Sequence, residues 1–229
     1  MKLRHLCLYL WLASAAAASN KPAARFGPAP LRLPEGPGKP KISEPARLAA
    51  EAGLAAFAKD DLETARQNFQ KLLLLAPENL TGLVNLGSVE YRLDHEAEAE
   101  KLLQHAVRLN PEAGLAWLTL GLIYNQQQKL EAALAACSRA VLLDPQNADA
   151  HNALASTLFA KGWYSGAEDE LQKCIELRPD FAEAHFNLAL AYLLRTPPAF
   201  ELARRHYQKA RDLGAAADES IEKKLTAAP

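Results

Sequence analysis

Histidine, cysteine and serine side chains at regular or glycine-rich spacings are the groups in this 229-residue chain that could support chemistry. Residues 162–167, GWYSGA, place Ser165 beside glycines but lack the G-x-S-x-G spacing of a nucleophile elbow. The sequence contains no glycine-rich phosphate loop, Cys-x-x-Cys pair or His-Glu-x-x-His motif. Because a catalytic site needs convergent polar groups, we predict that the chain is not an enzyme and uses no metal and no cofactor.

Two histidines and two cysteines still need an interpretation. His151 and His185 lie 34 residues apart, at positions equivalent to Trp117. Packed helix axes are about 8–10 Å apart, too far for both imidazoles to reach one zinc ion at about 2 Å, so we interpret the two histidines as partly buried packing residues. An oxidising compartment would permit a disulfide between Cys137 and Cys174, and packing of two free thiols in the core is the alternative.

A larger regularity positions these residues. Prolines recur at a constant interval of 34 residues, and small residues recur at the same interval: Pro77, Pro111, Pro145 and Pro179; Gly87, Gly121, Ala155 and Ala189; Ala65, Ala99, Ala133 and Ala167. A fixed period of this length indicates an internal repeat. Proline cannot continue a helix, so each proline marks the end of a second helix, and each small residue allows two helices to approach closely.

This pattern resembles the tetratricopeptide repeat family, W-x2-L-G-x2-Y followed by A-x3-F and P. The copy at residues 114–147 matches best, through Trp117, Leu120, Gly121, Tyr124, Ala133, Ala140 and Pro145. The resemblance covers about residues 46–225 and implies an all-α fold, a right-handed α-solenoid of about five helix-turn-helix repeats with a C-terminal capping helix. The predicted repeats are 46–79, 80–113, 114–147, 148–181 and 182–217, with the cap at 218–225. In the last repeat, Thr196 is predicted to cap a helix that begins at Pro197.

The resemblance also implies a concave groove, lined by the first helix of each repeat, that binds a protein or peptide. The family's groove-facing positions are mostly apolar here, with Arg47, Arg92, Asp149 and Glu183 as the charged exceptions. Because contiguous exposed apolar surface usually marks an interaction site, we predict a groove for an apolar peptide face or an amphipathic helix. Packing of these side chains in the core is the alternative. The predicted groove residues are Phe57, Val84, Asn85, Tyr91, Arg92, Leu118, Leu122, Asn125, Phe159, Phe186, Asn187 and Leu190.

One known mode of peptide binding in the family is not expected here. Asn85 and Asn187 match the asparagine of the clamp that holds a C-terminal carboxylate, but apolar or uncharged residues occupy the flanking basic positions. We therefore predict that the two-carboxylate clamp is absent.

The N-terminal residues have the pattern of a targeting segment. Lys2 and Arg4 precede thirteen uncharged, mostly apolar residues that end at a plausible cleavage site after Ala18. We predict a signal peptide at residues 1–18 and an exported, periplasmic or secreted protein with no transmembrane helix in the mature chain; an uncleaved anchor is the alternative. Residues 19–45 contain seven prolines and are predicted to be a linker, with docking on a partner or on this protein as its alternative role.

Charge limits the class of partner. The whole chain carries −1 and residues 1–45 carry +5, so residues 46–229 carry −6. Because nucleic-acid binding depends on clustered basic residues, we predict no nucleic-acid partner. The predicted function is a non-enzymatic interaction scaffold of the periplasm or cell envelope that holds segments of partner proteins in its groove, and the predicted location makes envelope proteins the expected partners. The alternative is a self-associating structural protein whose groove is filled by its own proline-rich segment.

Overall fold

The computed structural model describes residues 42–227, which form eleven α-helices and no strand. The predicted signal peptide and most of the predicted linker lie outside these residues. The first helix begins two residues before the predicted start of the array, because Ser43 caps it and Pro45 is tolerated in its first turn. The helices are α1 (Glu44–Ala58), α2 (Leu62–Leu75), α3 (Leu80–Arg92), α4 (Glu96–Leu109), α5 (Gly114–Gln126), α6 (Leu130–Leu143), α7 (Ala148–Ala160), α8 (Tyr164–Leu177), α9 (Ala182–Leu194), α10 (Phe200–Asp212) and α11 (Glu219–Thr226).

Short turns with one recurring conformation join the two helices of the first four repeats. Each turn has three residues, and its middle residue has a positive φ: Asp60 (63°), Asp94 (64°), Gln128 (57°) and Gly162 (78°). Glycine adopts this left-handed conformation at the least cost. Glycine nevertheless occupies this position in only one of the four turns. The helices on either side therefore impose the repeated turn geometry.

The predicted prolines lie between the repeats, where the second helix ends. α2 ends at Leu75, two residues before Pro77, and the equivalent helices end at the same distance from the other three prolines. Side chains then start the next helix: Asn79 accepts a hydrogen bond from the Gly82 N–H (2.9 Å), and Asn147 accepts one from the Ala150 N–H (3.2 Å). The proline and the following cap together explain the constant period of the helices.

The described helices belong to two compact units, residues 42–123 and residues 124–227. In the first unit, small residues let α1 pack on α2 and α3 pack on α4. A Cβ atom added to Gly53 would lie 2.6 Å from Phe69 Cε1, and one added to Gly87 would lie 2.6 Å from Leu103 Cγ. Phe69 and Leu103 are fully buried. The recurring small residue is therefore explained by a large side chain of the paired helix.

In the second unit, α7 packs on α8 and α9 packs on α10, and α11 follows as the predicted capping helix. Ile221 and Leu225 form the buried face of α11. Polar contacts fix it in place: the Tyr207 hydroxyl accepts a hydrogen bond from the Asp218 N–H (2.7 Å), and Arg204 donates to the Leu225 carbonyl (2.9 Å). The all-α repeat fold with its cap agrees with the sequence prediction.

One local prediction is wrong. α10 begins at Phe200 with Ala199 in the capping position, so Thr196 does not cap a helix that starts at Pro197. The two prolines instead lie in an exposed five-residue connection, 195–199, that is longer than the turns of the other repeats.

A search of residues 42–227 finds no helix with the length and apolar character needed to span a membrane.

Candidate protein-binding surface

The twelve predicted groove residues fall into two groups in the structure. Eight are buried: Phe57, Val84, Asn85, Tyr91, Leu118, Phe159, Asn187 and Leu190. Four are partly exposed: Arg92, Leu122, Asn125 and Phe186. A buried side chain can contact a partner only after something moves, so the partly exposed group is the accessible part of the predicted surface.

The buried group is most concentrated on α3, where every residue from Thr81 to Tyr91 is buried. The polar side chains of this helix use their own backbone: Asn85 Nδ2 donates to the Thr81 carbonyl and Ser88 Oγ to the Val84 carbonyl, both at 2.9 Å. The Asn85 amide N–H therefore has an acceptor within the protein.

A buried carboxylate lies on the same helix. Glu90 is 2% exposed, and its Oε1 accepts a hydrogen bond from Arg66 Nε at 2.8 Å while its Oε2 lies 2.6 Å from His95 Nδ1. These contacts link α2, α3 and the turn before α4. Burial of a carboxylate is costly unless it is paired, and Glu90 has two basic partners.

Two of the partly exposed residues also make contacts that hold the fold. Arg92 pairs with Asp60, and its guanidinium carbon lies 5.5 Å from the centroid of the Phe57 ring. Asn125 Nδ2 donates to Thr157 Oγ1 at 2.8 Å, which joins α5 to α7. Leu122 and Phe186 remain as the partly exposed apolar residues of the predicted set, and the Phe186 ring lies 6.2 Å from the Tyr207 ring.

The position shared by Trp117, His151 and His185 has a common contact that sequence analysis did not find. Each ring nitrogen faces the carbonyl of the recurring proline six residues earlier: Trp117 Nε1 at 2.9 Å from Pro111 O, His151 Nε2 at 3.0 Å from Pro145 O, and His185 Nε2 at 3.1 Å from Pro179 O. Proline has no N–H, but its carbonyl still needs a donor. A ring N–H at this position supplies it, which explains the shared spacing.

The second nitrogen of each histidine has a different partner. His151 Nδ1 lies 2.6 Å from Glu170 Oε2, so the imidazolium form can donate from both nitrogens. His185 Nδ1 lies 3.0 Å from His206 Nδ1. Because His185 Nε2 donates to a carbonyl, the neutral pair places the shared proton on His206 Nδ1. Burial is the largest cause that lowers the pKa of His206 to about 4, with His185 and Arg205 adding to it.

The cysteines are core residues. Cys137 and Cys174 are free and buried, so the two thiols do not form a disulfide in this structure. Burial raises the pKa of each thiol to about 12, which disfavours the reactive thiolate. Within residues 42–227, no three His, Cys, Asp or Glu side chains converge as a metal site would require.

A polar cluster at the starts of α7 and α9, which we call the Asn152 cluster, consists of Asp149, Asn152, Arg178 and Glu183. Asn152 Nδ2 donates to Glu183 Oε1 at 3.1 Å, and Arg178 Nη2 lies 2.7 Å from Asp149 Oδ1. The Arg178 guanidinium carbon is 4.0 Å from the centroid of the Phe181 ring. The sequence identified Asp149 and Glu183 as charged groove positions. It gave no indication that Asn152 and Arg178 would contact them.

Comparisons with known proteins agree with the helix pairs. A family model described as TPR repeat matches residues 121–162 and 155–194, and one described as Tetratricopeptide repeat matches residues 80–112. Among curated proteins, anaphase-promoting complex subunit 3 of Schizosaccharomyces pombe is 24% identical over 168 residues, which cover 73% of this chain and 25% of that protein. The chain spans about a quarter or less of the length of the curated relatives it matches.

Solved structures share the fold. MamA from Desulfovibrio magneticus RS-1 has a TM-score of 0.63 and 17% identity, and the match covers 75% of this chain and 96% of that one. YrrB, described as a TPR protein with an unusual peptide-binding site, has a TM-score of 0.60 and 23% identity, with 80% of this chain and 91% of that one covered. Together with the 34-residue period, the matches to the tetratricopeptide repeat family models show that the chain belongs to the tetratricopeptide repeat family.

Proposed function

We propose that this protein is a non-enzymatic scaffold that binds segments of partner proteins through the first helices of its repeats. The observation that carries the proposal is the repeat array itself, because stacked helix pairs offer extended surface along their first helices. The peptide-binding site in the description of YrrB supports the same use of the fold. Leu122 and Phe186 are the partly exposed apolar residues through which we expect contact.

The proposed location is the periplasm or another exported compartment, and the proposed partners are envelope proteins. The basic start, the apolar run and the small residues ending at Ala18 support removal of residues 1–18. Mass spectrometry of the protein purified from its source cells should find an N-terminus at Ser19. An intact residue 1–18 segment in the purified protein would contradict the cleavage.

Photo-crosslinking in intact source cells tests the binding function. A photo-reactive phenylalanine derivative replaces Leu122 or Phe186, and matched controls carry it at Ser138 or Lys209, which are exposed on second helices. We expect adducts to the same partner protein from both test positions and from neither control. The substitutions at Leu122 and Phe186 are compared with wild type by circular dichroism, so that loss of fold is recognised.

The same experiment distinguishes the alternative function. Residues 19–45 carry five basic and two acidic side chains, a net charge of +3, and residues 46–229 carry −6, a complementarity that favours docking of the basic segment on the array. Adducts confined to residues 19–45 of the same protein would support self-association or self-occlusion instead of a scaffold. Absence of any adduct from folded protein would contradict both functions at these positions.

A further inference from the structure

The Asn152 cluster has more acidic than basic side chains. It contains the carboxylates of Asp149 and Glu183 but one cationic side chain, Arg178, which is already next to Asp149 and stacked on Phe181. The Asn152 Nδ2–H group donates a hydrogen bond to Glu183 Oε1, so Glu183 is bonded to a neutral amide within the cluster. The cluster therefore has a negative charge that its own side chains do not fully balance.

Asn152 supplies the second observation. Its side chain is 8% exposed, and its Oδ1 is buried and accepts no hydrogen bond from the residues that the structure describes. A buried acceptor without a donor is costly, and few are found in native proteins. Arg178 Nη2 is likewise buried and makes no hydrogen bond, although it lies 2.7 Å from Asp149 Oδ1, so the hydrogen bonding of the cluster is incomplete on both the acceptor and the donor side.

The electrostatic environment of Glu183 points to the same deficiency. Burial is the largest effect and raises the pKa of the Glu183 carboxyl, and the nearby Asp149 carboxylate raises the pKa further. The hydrogen bond from Asn152 and the charge of Arg178 lower it. A positive charge placed beside Glu183 would favour its ionised form. Asp149 and Glu183 both keep partial exposure, so the cluster can be reached from solvent.

We propose that the Asn152 cluster binds the lysine or arginine side chain of a partner segment. Its ammonium or guanidinium group donates to the partly exposed Glu183 carboxylate, which supplies the missing positive charge. Calcium, by comparison, takes six to eight oxygen ligands, more than three oxygen-bearing side chains beside a guanidinium provide. Hydrogen-bonding cations need fewer acceptors.

The neighbouring surface determines what kind of segment carries this cation. Phe186 follows Glu183 by three residues on α9, so the two side chains lie on the same face of the helix, and Phe186 is partly exposed. The partner segment therefore combines one basic side chain with an adjacent apolar side chain. This inference rests on the proposed function, since it names the partner chemistry for the same surface.

Peptide selection on the full chain tests the inference. The probe is a library of random 12-residue peptides displayed on phage, selected separately on wild type, on Glu183→Gln and on the matched control Glu176→Gln, whose carboxylate is exposed on α8. We expect wild type and Glu176→Gln to enrich peptides with lysine or arginine at one fixed position. Glu183→Gln should still select apolar positions but lose the basic one.

Binding measurements on one selected peptide quantify the contact. Replacing its basic residue by norleucine should weaken binding to wild type about tenfold or more, as expected for a buried charge-assisted hydrogen bond. The same replacement should have no effect on binding to Glu183→Gln, and Asn152→Ala should weaken binding of the basic peptide in the same way. Circular dichroism and urea unfolding confirm that each variant is folded.

The outcomes separate the inference from the proposed function. Peptides without a basic position, or a basic preference that persists in Glu183→Gln, would overturn the inference and leave peptide binding intact. Failure of folded wild type to select any peptide would contradict the proposed function as well. A synthetic peptide of residues 19–41 is tested alongside; Glu183-dependent binding of this peptide alone would overturn an external partner, because the basic residues would then come from the chain itself.

Discussion

Two partly or fully buried carboxylates, Glu90 in the first unit and Glu183 in the second, differ in the partners that surround them. Glu90 receives a hydrogen bond from the Arg66 guanidinium and lies beside the His95 imidazole, both within 2.8 Å. Glu183 receives a hydrogen bond from the neutral amide of Asn152. Burial raises the pKa of Glu183, with Asp149 adding to the shift.

The difference shows how a structural carboxylate can be told from one available to a ligand. A buried charge with basic partners on neighbouring helices contributes to the fold, and removing one partner leaves an uncompensated charge. A carboxylate held by a neutral amide can gain a charged partner from outside. Burial alone does not distinguish the two, whereas the type of hydrogen-bond donor does.

The largest expected effect comes from removing the cationic partner of Glu90. Arg66→Met keeps the length and much of the apolar stem of the side chain but removes the guanidinium. We expect the free energy of unfolding to fall by about 3 kcal/mol, near the lower end for a broken buried ion pair because His95 remains. Urea unfolding followed by circular dichroism at 222 nm measures this change.

A double variant provides the control for Arg66. Arg66→Met with Glu90→Leu removes both charges, and we expect it to regain part of the lost stability, since no unpaired carboxylate remains. Arg108→Met, on the exposed side of α4, should change the free energy of unfolding by less than about 0.5 kcal/mol. Equal losses in Arg66→Met and Arg108→Met would show that Glu90 does not depend on Arg66.

The second effect comes from the same isosteric substitution at both carboxylates. Glu90→Gln replaces an ionised acceptor with an amide whose NH₂ group faces Arg66 or His95, and we expect a loss of about 2 kcal/mol. Glu183→Gln removes a charge that lacks a cationic hydrogen-bond partner. We expect its free energy of unfolding to stay within about 0.5 kcal/mol of wild type or to rise.

Urea unfolding of the two variants under the same conditions measures the difference directly. A loss in Glu183→Gln as large as that in Glu90→Gln would mean that Glu183 is as firmly paired as Glu90. That result would remove the physical basis for assigning the Asn152 cluster to a ligand.

A smaller effect concerns the hydrogen bond to a recurring proline in the first unit. Its donor, the indole N–H of Trp117, is uncharged. Trp117→Phe keeps the aromatic packing but removes the N–H that donates to Pro111 O. We expect a loss of about 1 kcal/mol, as for a typical neutral hydrogen bond, again by urea unfolding. Leu83→Met, at the equivalent position of the preceding repeat, which has no ring N–H, is the matched control and should cost less than Trp117→Phe does.

Sequence alone could predict the helical architecture of this protein because the architecture depends on residue type at a fixed period. Proline at 34-residue intervals ends second helices, and small residues such as Gly87 allow large neighbours such as Leu103 to pack closely. The position of α10 was not predictable in the same way. The Thr196-Pro197 pattern resembles a helix start, but the connection continues to Ala199 before the helix forms.

The accessible part of the candidate site was harder to predict for a physical reason. Family groove positions specify which face of a first helix a residue occupies, not whether a neighbour covers it. Tyr91 and Phe159 are buried, whereas Phe186, at another such position, is partly exposed. The Asn152 cluster also needs Arg178, which lies outside the groove positions at the end of α8. Its signal in the sequence was limited to Asp149 and Glu183, two carboxylates at the same phase of adjacent repeats.

The last comparison concerns the pH dependence of stability, because His206 and Glu183, whose pKa values are shifted, both lie in the second unit. The pKa of His206 is lowered from 6.5 to about 4, chiefly by burial, so the unfolded state binds this proton more readily between those values. Stability from neutral His206 is fully present above about pH 6.5 and is lost as pH falls toward 4. The raised pKa of Glu183 acts in the opposite direction, because its folded form binds a proton more readily.

Thermal unfolding between pH 7 and pH 4 tests both signs. The melting temperature of His206→Asn, in which an amide N–H replaces the imidazole donor, should fall less on acidification than that of wild type. That of Glu183→Gln should fall more, because the stabilising protonation of Glu183 is lost. His105→Asn, on α4 in the first unit, is the matched histidine control and should follow wild type. If His105→Asn flattened the pH dependence as much as His206→Asn, the acid sensitivity would not belong to the His185–His206 contact or to the second unit.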